Sequence, residues 1–230
     1  MKDKESSYKT IITQTDNISL IKCGETKVMR ISHFLSKKNN EVLYNSICKE
    51  EKNFKSYEFP GSDTKTSTFL ELGSKSNNNL IGALTQKAYN TLNKQIIKQL
   101  PSIFNTLDIN PFPVTKIPLT FVNCSDGHYG APHADSTNGQ YQISILYYFN
   151  SIPKVFKGGD LQVFKTDTSS PEGYNTPPLF TIDFENNSLI MFASETFHGI
   201  TKVKSDSDDF SDGRFIAVGF LSSPIGNNIK

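Results

Sequence analysis

Ile143-Ser144-Ile145-Leu146-Tyr147-Tyr148-Phe149 is the stretch on which the fold turns. Ile143, Ile145 and Tyr147 alternate with Ser144, Leu146 and Tyr148, the two-residue period of a β-strand. Further along the chain lie Leu161-Gln162-Val163-Phe164, Phe180-Thr181-Ile182, Leu189 to Phe192 and Phe215 to Leu221, short apolar runs bounded by Gly, Pro, Asn or Asp. Many short strands from Ile117 onward predict a β-sandwich or jelly roll. Thr166 to Pro178 reads as a long Pro-containing loop within it, and the acidic, Ser-rich run Lys204 to Gly213 as a solvated hairpin loop.

Toward the N-terminus the period changes. Ser36 is placed to cap a helix running through Val42, Leu43, Ile47 and Cys48. Ile81, Leu84, Ala88, Leu92, Ile96 and Leu100 recur at three- and four-residue spacing, which predicts a second helix interrupted by Pro101. The reading for both helices is that they buttress one sheet. Gly61 to Ser67 and Ser74 to Asn79 read as connecting loops.

His133-Ala134-Asp135 carries the chemistry. In a strand, every second side chain points the same way, so His133 and Asp135 can reach one metal ion. His198 follows the apolar run Leu189-Ile190-Met191-Phe192-Ala193, which can deliver it to the same mouth. Two imidazoles and a carboxylate are the ligand set of a non-haem Fe(II) oxygenase, with three positions left open. Arg214 opens the last apolar run, where a guanidinium can hold the far carboxylate of a dicarboxylate in bidentate fashion, as a 2-oxoglutarate site requires. Lys202 is the fallback anchor should the loop before Arg214 displace it. Of the four histidines, the remaining two read as a partly buried structural residue, His33, and a loop residue near the mouth, His128.

From Pro118 to Leu221 the chain resembles the catalytic domain of the prolyl 4-hydroxylase-like 2-oxoglutarate/Fe(II)-dependent dioxygenases. The matching stretches are Gly127-His128-Tyr129-Gly130-Ala131-Pro132-His133-Ala134-Asp135, Ile145-Leu146-Tyr147-Tyr148-Phe149-Asn150, Gly158-Gly159-Asp160-Leu161, Phe197-His198-Gly199 and Arg214-Phe215-Ile216-Ala217, in the family's order. The resemblance implies a double-stranded β-helix (jelly roll), mainly β with flanking helices. It implies that His133, Asp135 and His198 hold Fe(II), and that Arg214 and Tyr148 bind the distal carboxylate of 2-oxoglutarate. Asn123-Cys124 stands where relatives often have a tyrosine, which leaves Tyr129 as the candidate for that cosubstrate contact. The Gly-Gly-Asp-Leu turn is read as a chain reversal with no chemistry. O2 is the second cosubstrate, and ascorbate is an auxiliary reductant compatible with the family. Because Asp135 is present, the site is unlike that of halogenases, which replace this carboxylate, and hydroxylation is the expected outcome.

The expected organisation is one domain over 1–230, with 1–115 an N-terminal extension of supporting helices and strands and 116–222 the dioxygenase core. A hydrophobic content of 36% suits a sizeable core, and no apolar run reaches the ~20 residues of a membrane span. A net charge of +1 gives no electrostatic case for nucleic acid. The charged start lacks the apolar core of a signal peptide, and three scattered cysteines, Cys23, Cys48 and Cys124, fit no disulfide framework, so a reducing cytoplasm is expected. Cys124 is read as a buried strand thiol. The expected reaction hydroxylates a prolyl or other amino-acid residue of a peptide or protein, releasing succinate and CO2. A free or carrier-bound amino acid or other small metabolite is the alternative substrate, and a non-catalytic jelly-roll module that binds metal or a small acid is the rival from another class.

Overall fold

The computed structural model describes residues 10–57, 67–72, 81–136 and 139–222. In chain order the elements are β1 (Ile11–Thr15), β2 (Ile18–Cys23), β3 (Thr26–Ile31), α1 (Lys37–Cys48), β4 (Lys55–Tyr57), β5 (Ser67–Leu72), α2 (Ala83–Thr106), β6 (Leu119–Cys124), β7 (Gly130–His133) and β8 (Ile143–Phe149). Then come β9 (Phe156–Lys157), β10 (Leu161–Thr166), β11 (Tyr174–Ile182), β12 (Ser188–Ala193), β13 (His198–Ile200), β14 (Lys204–Ser205) and β15 (Arg214–Leu221). Among the described residues, the large sheet runs β1-β2-β3-β12-β8-β15-β6-β5-β4, and the small sheet runs β11-β10-β13-β7. The two sheets form the jelly roll.

β8 lies at the centre, and all seven of its residues are buried. Its odd positions, Ile143, Ile145, Tyr147 and Phe149, share a core with Leu43 and Ile47 of α1 and Leu92 and Ile96 of α2. Leu146 and Tyr148 point the other way and pack with Leu161 and Val163 of the small sheet. The two-residue period therefore separates two apolar layers rather than core from solvent, as in a strand covered on both faces. The helices buttress the large sheet from outside; the site forms between the sheets.

Ser36 caps α1, its Oγ accepting from Asn39 N at 3.3 Å. The second helix departs from the sequence reading. Pro101 does not interrupt it: α2 runs on to Thr106. A proline inside a helix costs ~3 kcal/mol, but continuing the helix buries Ile103 and Phe104, each contributing about 1.5–3 kcal/mol. Ile81 precedes the helix, and Leu84 is 47% exposed. The start of α2 is tied down by Glu50, whose Oε1 accepts from Gly82 N at 2.9 Å and from Thr85 Oγ1 at 2.7 Å.

Three loop assignments also change. Ser67 begins strand β5, while 61–66 and 74–79 lie outside the described residues. The stretch read as a loop over 166–178 is shorter, because β10 extends through Thr166 and β11 begins at Tyr174; cross-strand pairing of Lys165 with Asn175 and Thr166 with Tyr174 closes it. The acidic 204–213 segment is anchored rather than solvated throughout: Phe210 packs edge-on against Phe54 and Phe215, and Tyr44 Oη donates to Ser211 O at 2.8 Å. No helix among the described residues is long and apolar enough to cross a membrane.

Candidate metal centre and anion anchor

β7 and β13 are paired so that His133 and His198 are cross-strand partners. Their ring centroids lie 4.5 Å apart. Asp135 follows two residues after His133, and the donor atoms of all three side chains fall within 4.8 Å of one another. Asp135 Oδ1 is 3.5 Å from His133 Nε2, and Oδ2 is 3.6 Å from His198 Nε2. The His133 side chain is 54% exposed, whereas Asp135 and His198 are 11% and 5% exposed. The cluster thus has one open side.

The ring orientations are fixed by backbone. His133 Nδ1 sits 2.9 Å from Ala131 O, and His198 Nδ1 sits 2.9 Å from Thr196 O. A carbonyl only accepts, so each Nδ1 carries the hydrogen and each Nε2 presents a lone pair to the same point. Burial pushes the His198 imidazole below its ordinary value, which keeps it neutral. The Asp135 carboxylate raises His133. Burial alone would raise Asp135, but His133, His198 and Ser144 around it outweigh that and hold the carboxyl below its usual range. Two imidazole nitrogens from β7 and β13 and one ionised oxygen just beyond β7 are the donor set for a divalent cation, which would compete with a proton for His133 Nε2.

A second group lies along the same face of β8. Ser144 donates to Asp135 Oδ2 at 2.6 Å; Tyr148 is four residues on, ~13 Å of strand, with Leu146 between them. Beside Tyr148, Arg214 begins β15 and is only 1% exposed. Its guanidinium carbon lies 4.9 Å from the Tyr148 ring centre and 5.0 Å from that of Phe184. Nε donates to Gly159 O at 2.7 Å, and Nη1 lies 3.9 Å from Cys124 Sγ. Among the described residues, Nη2 and the Tyr148 hydroxyl have no hydrogen-bond partner. Among the described residues no carboxylate forms an ion pair with Arg214. Burial pushes the Tyr148 phenol up to about 12, so it stays a donor. A buried cation and a buried hydroxyl, each short of an acceptor, fit one anionic ligand.

The 204–213 segment does not displace Arg214, and Lys202, the fallback, is exposed. Tyr129 is half-buried, immediately before β7. His128 is not among the three clustered donors and lies against the Cys124 thiol; burial would raise that thiol, but His128 and Arg214 beside it hold it below its ordinary value. Cys23, Cys48 and Cys124 are all free thiols.

Gly159 was read as part of a chain reversal, and the structure gives it a further part. Its φ is +74°, and a Cβ there would clash with Arg214 Cδ. The glycine therefore makes room for the buried guanidinium while its carbonyl orients it. Gly159→Ala combines a left-handed backbone with that clash; it is expected to destabilise the fold by ~1–3 kcal/mol and to weaken dicarboxylate binding. Thermal melting and a binding titration on the same preparation check both. The sequence reading gives Ser144 and Ser194 no part in the site, their only signal being a serine inside one apolar run and another at the end of a second.

Comparison with known proteins gives the same outline. Residues 119–222 match the model of the 2OG-Fe(II) oxygenase superfamily. An uncharacterized PKHD-type hydroxylase of Synechocystis sp. is 30% identical over 195 residues, 83% of this chain and 61% of that protein. The chain therefore spans less than two thirds of that relative. A prolyl-4-hydroxylase from Pseudomonas putida shares the fold with a TM-score of 0.56 at 13% identity, over 85% of this chain and 92% of the other. A prolyl hydroxylase from Trichoplax adhaerens, solved with a hypoxia inducible factor peptide fragment, gives 0.57 at 12% identity, over 85% and 83%.

Proposed function

We propose, from the match of residues 119–222 to the model of the 2OG-Fe(II) oxygenase superfamily, that this chain is an Fe(II)/2-oxoglutarate-dependent dioxygenase that hydroxylates an unactivated C–H bond. The observation that carries the reading is the pairing of two groups beside one face of β8: the clustered donors of His133, Asp135 and His198, and the buried Arg214 guanidinium, which no described carboxylate pairs. His133 and His198 would bind Fe(II) through Nε2, and Asp135 through a carboxylate oxygen. Arg214 Nη2 and the Tyr148 hydroxyl would donate to the distal carboxylate of 2-oxoglutarate, with Tyr129 a further candidate contact. When bound, the metal and keto acid would activate O2, one oxygen atom going into succinate as CO2 leaves and the other into the substrate C–H bond to give C–OH. The chain's own work is to hold these groups in register. Leu146, Leu161 and Val163 pack with Tyr148 in the buried cluster between the sheets, which would limit water beside the bound groups.

The substrate reading is a prolyl or other amino-acid residue within a peptide. A cleft of about 790 Å³ supports it, bordered by Thr196 beside His198 and lined by Glu25, Lys27, Lys165, Leu179 and Glu195. A lining that mixes charges of both signs with Leu107, Leu179 and Ala193 suits an extended chain with mixed side chains. We also take 1–115 and 116–222 as one domain, since β3 pairs with β12 and β5 with β6 across that boundary. The test is succinate release by the Fe(II)-loaded protein with proline-containing peptides against free amino acids. Peptide-dependent succinate supports the reading; turnover with free amino acids alone overturns its substrate part.

Tyr148→Phe separates the anchor from simple packing. A buried hydroxyl without a partner costs ~1–3 kcal/mol, so the variant is expected to melt higher than the parent while binding 2-oxoglutarate about tenfold more weakly. A variant that melts lower and binds unchanged would remove Tyr148 from the anchor.

A further inference from the structure

Ser144 and Ser194 are 0% and 1% exposed, two hydroxyls inside an otherwise apolar layer. Ser144 Oγ lies 2.6 Å from Asp135 Oδ2 and 2.9 Å from Ser194 Oγ. An ionised carboxylate only accepts, and a hydroxyl has one hydrogen. Ser144 therefore gives its hydrogen to Oδ2 and accepts the one from Ser194. Both residues are held by backbone: Ser194 N donates to Gln142 O at 3.1 Å, its carbonyl accepts from Ser136 N at 3.0 Å, and Ser144 sits in β8 across from Phe192 of β12. The relay ends on the one ligand with two possible donor atoms.

The Ser144 bond takes one of the two lone-pair directions of Oδ2 and fixes the carboxylate's rotation, which leaves Oδ1, with no hydroxyl donor on it, the better placed oxygen for a cation. A carboxylate that binds through both oxygens occupies two positions on a six-coordinate ion; through one, it leaves the His-Asp-His set with three positions open. We propose that Ser144, backed by Ser194, is a positioning residue that holds Asp135 as a one-oxygen ligand and so preserves the third open position. The inference rests on the metal-site reading above. Its chemistry needs no net proton transfer: the Ser144 hydrogen remains on Oγ.

The test uses the full chain stripped of metal and loaded with Mn(II) alone. Broadening of the Mn(II) electron paramagnetic resonance lines in ¹⁷O-water counts the bound waters. Wild type and Ser194→Ala, which keeps the Ser144 donor, are expected to hold the same number; Ser144→Ala is expected to hold one fewer. Should Ser144→Ala fail to fold, Ser144→Cys, nearly the same in shape and a weak donor, is expected to lose the same water. A folded Ser144→Ala or Ser144→Cys with the wild-type count overturns the role of Ser144 alone. Wild type that binds no Mn(II) overturns the metal site and this inference together.

Discussion

Arg214→Ala is expected to abolish saturable 2-oxoglutarate binding at ordinary concentrations while leaving the protein folded. Removing one partner from a buried, hydrogen-bonded charge pair costs about 3–5 kcal/mol, roughly 10²- to 10⁴-fold in affinity. Most of that penalty falls on the complex. Arg214 is 1% exposed and no described carboxylate pairs with it, so its removal relieves the desolvation of a buried charge and offsets the packing lost against Tyr148 and Phe184. Arg214→Lys is expected to recover little, because an ammonium lacks the planar fork and cannot reach both the Gly159 carbonyl and a carboxylate. Calorimetric titration with 2-oxoglutarate beside a thermal melt gives both quantities. Unchanged affinity in a folded Arg214→Ala protein would place the anion elsewhere.

Asp135→Ala is the second large effect. The carboxylate lies between the two imidazoles, 3.5 Å from one and 3.6 Å from the other, and is the only anionic member of the cluster. Without it, two neutral nitrogens remain. The loss of metal affinity is expected to exceed the ~10–100-fold that follows from disturbing a residue behind a ligand. Folding should survive, because Ser144 and Ser194 can still bond to each other at 2.9 Å. Equilibrium dialysis against Fe(II) under anaerobic conditions measures the loss. A variant that retains wild-type affinity would mean that the histidines bind metal without this carboxylate.

The features legible in the sequence are those with a local signature. β8 and β15 appear as apolar runs, His133 and Asp135 as an i, i+2 pair, Ser36 as a cap, and Arg214 as a charge at the head of a buried strand. The β1–β3 meander also has a local signature, Asp16-Asn17 and Gly24-Glu25 as two-residue turns with φ of 49° at Asp16 and 61° at Gly24. Lys and Thr mixed into those strands blur the alternation that would have marked them. The α2 boundary at Pro101 was misjudged because tertiary burial of Ile103 and Phe104 outweighs a local penalty. Contacts distant along the chain leave no periodic trace at all. Gly159 and Arg214 are 55 residues apart, and Ser144 and Ser194 are 50; only the fold reveals that one glycine makes room for the anchor and that two serines hold the carboxylate.

The most direct measurement is an anaerobic titration of the metal-free chain, first with Fe(II) and then with 2-oxoglutarate, following the weak visible charge-transfer absorption of the chelate in wild type and Arg214→Ala. A band that grows to saturation in wild type and is weak or absent in the variant is the expected result. A folded, iron-loaded wild type that develops no band would contradict the dioxygenase reading and leave a jelly-roll module that binds metal without this cosubstrate.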